Sequence, residues 1–169
     1  MNILIVYAHP DPLSFAGAMR DCALDVLRER GHVIQVSDLY EMRFKAVMDA
    51  GDFTDPRDES RFDLQLEQLH AYDTSTFAAD ITAEQQKLLW AQIVLFIFPL
   101  WWYSVPAILK GWIDRVLTYG FAYGPRNLRG RRAMLMLTTG GPAQLFTPEK
   151  RVVMSDMLDP IQRGTLAFC

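Results

Sequence analysis

The chain has 169 residues, which is enough for one domain with one hydrophobic core. With 17 basic and 20 acidic side chains its formal net charge is -3, so it lacks the concentrated basic footprint of a nucleic-acid-binding protein. The longest apolar run, residues 93–102, is too short to cross a bilayer, and the N-terminus lacks the basic region and cleavage site of a signal peptide. We therefore predict a cytoplasmic protein with no nucleic-acid partner and no membrane insertion.

Cysteine, histidine and basic residues are scattered along the chain. The 2 cysteines and 3 histidines have no metal-ligand spacing, so no metal site is predicted. Cys22 follows the apolar rhythm of a helix, and we predict that it is buried. We interpret the densest basic stretch, Arg126 to Arg132, as a solvated loop, with a binding site for a dinucleotide phosphate as the alternative.

The first elements form a strand–helix–strand unit. Met1 to Ala8 is a nearly continuous apolar run, which is typical of a strand buried on both faces of a parallel sheet. Helical spacing follows, with Ser14 as the predicted N-cap and Gly31 as the predicted stop. Val33 to Val36 is the second predicted strand. The length of this unit matches a βαβ crossover.

Residues 38–80 are polar and irregular, and we interpret them as an insertion within a single domain spanning residues 1–169. One helix is predicted inside the insertion, near Arg61 to Tyr72. The next helix is predicted to start at Thr82, because Thr82 and Gln85 have the spacing of a capping box.

Alternating strands and helices continue to the end of the chain. Strands are predicted at Ile93 to Phe98 and Ala133 to Leu137, separated by a helix at Ser104 to Leu117 with Pro106 in its first turn. A last helix is predicted over Pro148 to Arg163, interrupted near Pro160. This order predicts an α/β fold with a doubly wound parallel sheet, helices on both faces and all strand carboxyl ends at one edge.

Three unusual segments follow three of the buried strands, and they should meet at that edge. His9 to Phe15 leads into a helix N-terminus, which favours phosphate. Pro99 to Tyr103 contains three consecutive aromatic residues, which suit a flat conjugated ring. Thr138 to Gly141 offers small residues and close backbone donors. Each segment alone also fits a structural role, but together they indicate a flavin nucleotide site.

The same segments resemble a known family, the flavodoxin-fold NAD(P)H:quinone oxidoreductases, which include DT-diaphorase-like enzymes and bacterial relatives. Matching stretches cover nearly the whole chain in order: VYAHPDPLSFAGAM, VSDLYEM, DITAEQQKLLWA, FPLWWYSVPAILKGWIDRVL, GFAYG, LTTGG and PIQRGTLAFC. The resemblance implies a homodimer with FAD, or alternatively FMN, and NADPH or NADH as the donor. It also implies a ping-pong reaction in which a hydride passes from NAD(P)H through flavin N5 to a quinone or related acceptor.

The resemblance also assigns site residues. The cofactor-binding residues it implies are His9, Ser14, Phe15, Ala16, Pro99, Leu100, Trp101, Trp102, Tyr103, Thr138, Thr139, Gly140, Gly141 and Phe146. The catalytic residues it implies are Trp102, Tyr103, Gly140 and Gly141, and the substrate segment, which would reach the partner subunit's pocket, is Ala122, Tyr123 and Gly124.

Two departures from the family stand out. Phe146 occupies a position where mammalian relatives have a tyrosine, so their charge relay is predicted to be absent. Four strands are predicted where five are usual, so the last strand of the sheet is expected to be missing and the edge of the fourth to be exposed. The alternatives left open are a regulatory flavoprotein subunit of a potassium efflux system, an FMN electron carrier and a binding module without redox chemistry.

Overall fold

The computed structural model describes residues 1–124, 128–147, 149 and 153–169. Its strands and α-helices follow in the order β1 (Asn2–Tyr7), α1 (Phe15–Glu29), β2 (Val33–Asp38), α2 (Leu64–Thr74), α3 (Ala79–Trp90), β3 (Ile93–Pro99), α4 (Ala107–Val116), β4 (Arg132–Thr138) and α5 (Met154–Ile161). Short 3-10 helices lie at Ala50–Asp52 and Ala143–Leu145, and a π-helical segment spans Gln162–Leu166.

The described residues form one parallel sheet of 4 strands in the order β2-β1-β3-β4. The two central strands are covered on both faces. Ile3 and Ile5 of β1 pack beneath α1 on one face, while Leu4 and Val6 face the core under α3 and α4. This double burial explains the uninterrupted apolar run at the N-terminus and confirms the predicted doubly wound architecture.

The predicted limits of α1 are confirmed. The hydroxyl Oγ of Ser14 accepts the backbone N–H of Gly17 at 3.1 Å, which satisfies one of the unpaired donors at the helix start. Gly31 has a φ of +75°, a left-handed conformation that ends the helix without the strain a side chain would add. Cys22 is exposed on α1, so its predicted burial is wrong: Ala16 and Ala23 occupy the face that packs on the sheet.

A buried arginine of α4, Arg115, binds three residues of the segment 38–80. The side chain of Arg115 is 1% exposed, and its Nη2 donates to Asp52 at 3.0 Å while its Nη1 donates to Asp80 at 2.6 Å. Nη1 also donates to the carbonyl of Lys45 at 2.9 Å. Burial alone would raise the pKa of Asp80, but the contact with Arg115 outweighs it and lowers that pKa. The helix predicted within this segment corresponds to α2. The interpretation of residues 38–80 as an insertion within a single domain stays a prediction.

The predicted capping box at Thr82 is wrong. α3 begins three residues earlier, and the Thr82 N–H donates to the Ala78 carbonyl at 3.1 Å inside the helical ladder. Ala78 is held at the helix start because its own N–H donates to the Asp52 carbonyl at 2.8 Å. The Gln85 amide does not turn back on the helix; it donates to the Val116 carbonyl, 31 residues away. Tertiary contacts therefore set this helix start.

Two further predictions of helix limits need correction. α4 starts at Ala107, and Pro106, which has no N–H to donate, is its N-cap instead of lying in its first turn. α5 continues through Pro160 to Ile161, and the irregular turn is the π-helical segment that follows. Pro148 lies outside the described residues, so the predicted start of this helix is not described.

The side chains of β4 are more exposed than those of the two central strands. Among the described residues β4 forms one edge of the sheet, and the Met134 side chain on it is 58% exposed. The predicted absence of a further strand stays a prediction. Just before β4, Arg131 donates to the carbonyls of Leu88 and Leu89 at the C-terminal end of α3. Arg131 is thus an exception within the stretch interpreted as a solvated loop, since a helix C-terminus attracts a cation, while Arg129 and Arg132 are exposed. Arg126 lies outside the described residues. Among the helices described, none is long and apolar enough to span a bilayer.

Candidate active site

Three loops meet at the carboxyl edge of the sheet, as predicted. The Leu100 N–H donates to the Thr138 carbonyl at 2.7 Å, which joins the loop after β3 to the end of β4. On the other side, the Ala8 N–H donates to the Ile97 carbonyl at 3.0 Å. The rings of His9 and Trp101 lie 6.0 Å apart between centroids. The loop after β3 therefore lies between the other two and contacts both.

The first loop, residues 9–15, is ordered by Asp11. The Asp11 carboxylate accepts the Leu13 N–H at 2.9 Å, and its carbonyl accepts the Ser14 N–H at 3.2 Å. The Asp11 N–H donates to Nδ1 of His9 at 3.0 Å, which fixes the orientation of that imidazole. Sequence reasoning did not assign this role to Asp11, although an aspartate before a turn that binds its own backbone is a recognisable signal.

The start of α1 is packed directly beneath this loop. A Cβ at Gly17 would lie 2.0 Å from the Pro12 carbonyl oxygen, so only glycine permits the contact. Of the predicted ligand residues here, Phe15 is 74% exposed, whereas Ala16 is buried in the core and can offer only its backbone to a ligand. Gly17 is a site residue that sequence reasoning missed, because its role depends on a contact between the loop and the helix.

The second loop is a tight hairpin of aromatic residues, Trp101–Ser104. Trp101 and Ser104 exchange two backbone hydrogen bonds of 3.0 Å each. The two residues between them, Trp102 and Tyr103, have φ values of +49° and +59°. Positive φ at both central positions is the type I′ pattern, for which Asn and Gly are strongly preferred. Bulky residues in this conformation are strained, and such strain concentrates at functional sites.

The aromatic hairpin and the glycine loop together enclose a cavity. Its volume is about 260 Å³, and its lining residues are Leu100, Trp102, Tyr103, Thr139, Gly140, Gly141, Leu145 and Phe146. Trp102 is 95% exposed and Tyr103 57% exposed, so neither belongs to the core. Seven of the predicted cofactor residues beyond the first loop, Phe146 among them, thus line one cavity together with Leu145. Pro99 and Thr138 pair with each other at the ends of β3 and β4.

The glycine loop leaves open space for a ligand edge. The Thr139 hydroxyl donates to the Gly141 carbonyl at 2.9 Å, which orders the turn. A Cβ at Gly140 would meet nothing within 4 Å, whereas a Cβ at Gly141 would lie 2.9 Å from Leu145. Gly140 and Gly141 are not among the glycines with a positive φ. Their small size therefore matters here, and their backbone freedom does not.

The predicted substrate segment, Ala122 to Gly124, lies elsewhere in the chain. Ala122 is fully buried, and the Tyr123 ring stands 5.3 Å from that of Tyr119. Burial, and after it the nearby Cys169 and Tyr119, raises the pKa of the Tyr123 phenol. The structure therefore does not bring this segment to the cavity of its own chain.

A polar cavity lies on the other side of the first loop, and its lining includes Arg20. The Arg20 side chain is paired with Asp21 at 2.8 Å and Asp38 at 3.1 Å, and it lies over the ring of Tyr7. The hydrogen bond that Arg20 donates to Asp21 is the main reason why the pKa of Arg20 is raised. Both carboxylates already neutralise Arg20, so it offers little net charge to a phosphate. Among the described residues, no group of three or more His, Cys, Asp and Glu side chains is placed to hold a metal ion.

Comparison with known proteins identifies the family. A family model described as the flavodoxin-like fold matches residues 1–169. The ribosyldihydronicotinamide dehydrogenase (quinone) of Pongo abelii is 45% identical over 178 residues, covering 99% of this chain and 76% of the relative. The chain belongs to the flavodoxin-fold NAD(P)H:quinone oxidoreductase family. The NAD(P)H dehydrogenase (quinone) 1 of Rattus norvegicus is also similar, at 41% identity over 98% of this chain and 64% of the relative.

Solved structures of the family give the same result. A candidate quinone reductase from Klebsiella pneumoniae has a TM-score of 0.93 and 45% identity, covering 98% of this chain and 70% of that one. An NAD(P)H:quinone oxidoreductase from Methanothermobacter marburgensis has a TM-score of 0.81 and 28% identity, covering 99% of this chain and 77% of that one. The predicted family and fold class are confirmed, while the roles assigned to single residues stay predictions.

Proposed function

We propose that this chain is a flavin-dependent NAD(P)H:quinone oxidoreductase. The observation that supports it most strongly is the junction of the aromatic hairpin Trp101–Ser104 with the open glycine loop, beside a capped helix N-terminus. Relatives of this chain are named as NAD(P)H and ribosyldihydronicotinamide quinone dehydrogenases. A quinone, or a related small acceptor, is therefore the proposed substrate.

The residues present fit a flavin nucleotide. At the phosphate side, α1 offers backbone N–H groups at its N-terminus together with His9 and Ser14. At the ring side, Trp102 and Tyr103 present exposed aromatic faces to the cavity, and Gly140 leaves space for a ring edge. When bound, a flavin supplies the two-electron chemistry between the nicotinamide and the quinone.

The protein residues bind and orient both substrates. We assign the floor of the substrate pocket to Trp102 and Tyr103, where the nicotinamide and the quinone would stack in turn. The backbone N–H groups of Gly140 and Gly141 are the proposed donors that stabilise negative charge on a ligand edge, since fixed donors need no reorganisation. Phe146 adds an apolar wall that excludes water and, without a hydroxyl, cannot transfer a proton.

FAD is the proposed flavin, with FMN as the alternative, and NADPH or NADH is the proposed donor. These finer assignments rest on the family resemblance. A homodimer is also proposed. Two features support it: the aromatic hairpin exposes large apolar surface, and the segment Ala122 to Gly124 does not reach the cavity of its own chain. A second copy would bring that segment to the partner's cavity and cover the exposed rings.

An anaerobic redox cycle tests the proposal. The protein is loaded with FAD or FMN, NADPH or NADH is added, and the flavin absorbance is followed before and after addition of menadione. We expect bleaching by the nicotinamide and full recovery with the quinone. A flavin-loaded protein that neither nucleotide bleaches would contradict the proposed function, and comparison of the four pairings selects the cofactors.

A further inference from the structure

We propose that Gln68 is a positioning residue, which fixes the segment Thr118–Gly124 from helix α2 and thereby sets which quinones fit the site. The proposal rests on the proposed function, because it takes Ala122 to Gly124 as the acceptor-side wall. In this proposal α2, the helix within residues 38–80, positions the acceptor-side segment.

The contact is a part-buried hydrogen bond between distant parts of the chain. Gln68 is 4% exposed, and its Oε1 accepts the backbone N–H of Tyr119 at 3.0 Å across 51 residues of sequence. An N–H buried without an acceptor costs free energy, so this amide holds Tyr119 in place. Gln68 also lines a cavity together with Tyr123.

A second buried glutamine holds the residues just before Tyr119. The Gln85 Nε2 donates to the Val116 carbonyl and to the Thr118 hydroxyl, both at 3.1 Å. Thr118 is itself 1% exposed. The chain leaving α4 is therefore fixed by α3 through Gln85 and by α2 through Gln68 before it turns toward Tyr123.

Local contacts pass this position on to Tyr123. The Ala122 N–H donates to the Thr118 carbonyl at 2.9 Å, and the Gly120 N–H donates to the Tyr123 carbonyl at 3.0 Å. Gly120 has a φ of +88°, and a Cβ there would lie 2.9 Å from Tyr72, again a residue of α2. A shift of Tyr119 must therefore move Tyr123, whose ring packs on that of Tyr119.

The test replaces the amide by an apolar group of similar shape, Gln68→Met, in the flavin-loaded full chain. Gln65→Met is the matched control, because Gln65 is exposed on the same helix. Steady-state rates are measured with a two-ring naphthoquinone and a one-ring benzoquinone. Hydrogen exchange of the segment 117–124 is measured in parallel, since it reports the Tyr119 amide directly without any turnover.

We expect Gln68→Met to raise the naphthoquinone KM about three- to tenfold, the range expected for one hydrogen bond, with a smaller rise for the benzoquinone and kcat nearly unchanged. Exchange of the Tyr119 amide should accelerate, and Gln65→Met should match the wild type in both readouts. Unchanged KM values, or a fall in kcat and flavin content with KM unchanged, would overturn the proposal. If the wild type reduces no quinone, the proposed function fails, and unaltered exchange in Gln68→Met would independently refute the positioning role.

Discussion

The first loop, residues 9–15, and the aromatic hairpin Trp101–Ser104 face the same site but are built in opposite ways. The first loop closes on itself: Asp11 binds its backbone, and Pro12 packs on Gly17 of α1. The hairpin places Trp102 and Tyr103 in the left-handed region and leaves both largely exposed. The first loop is therefore held by its own hydrogen bonds and packing, whereas the hairpin holds backbone strain and uncovered apolar surface.

The largest effect is expected from Gly17→Ala in the first loop. The new Cβ would lie 2.0 Å from the Pro12 carbonyl oxygen, and the loop backbone must move away from the helix. We expect a loss of about 3 kcal/mol in the free energy of unfolding, at the upper end for overpacking, although alanine is the better helix former. Urea melts of the flavin-free protein measure it. Gly164→Ala, where a Cβ meets nothing within 4 Å, is the control; equal stability of both variants would show that the loop yields freely.

The opposite sign is expected in the hairpin. Trp102→Gly removes a side chain that is 95% exposed and relieves a φ of +49°. We expect the flavin-free protein to become about 1 kcal/mol more stable, while flavin binding and quinone turnover fall. Trp102→Ala is the matched control, because it removes the ring but keeps a Cβ in the left-handed region. A stabilisation equal in both variants would show that loss of the ring, and not relief of strain, is responsible.

The smallest effect is expected at the cap of α1. Ser14→Ala removes the acceptor for the Gly17 N–H, and we expect a loss of about 1 kcal/mol in the free energy of unfolding. Ser14→Thr keeps the hydroxyl and should retain most of the stability. Thermal melts of the three proteins decide the point. If Ser14→Thr is as unstable as Ser14→Ala, the hydroxyl does not stabilise the loop.

This contrast also explains what the sequence could reveal. The cap at Ser14 was predictable because its hydrogen bond joins residues three apart, and the strand at the N-terminus was predictable because both of its faces are buried. The meeting of the three loops followed from the topology of a parallel sheet. Local and topological signals therefore predicted where the candidate site lies.

The remaining features depend on contacts that are distant in sequence. The hairpin was not predictable because Trp102 and Tyr103 replace the Asn and Gly that signal a type I′ turn. Gln85 has the local spacing of a capping box, which led to the wrong prediction. Its actual partners, Val116 and Thr118, lie more than thirty residues away and give no local signal. Gln68 had no sequence signal at all, since its partner is a backbone N–H.

Equilibrium titrations with FAD and with FMN test the central claim, that the three loops form one flavin site. Flavin fluorescence is followed for the wild type and for Trp102→Ala. We predict saturable binding of one flavin per chain with strong quenching by the aromatic hairpin, and markedly weaker binding by the variant. Failure of the wild type to bind either FAD or FMN saturably, or binding that Trp102→Ala leaves unchanged, would contradict the account.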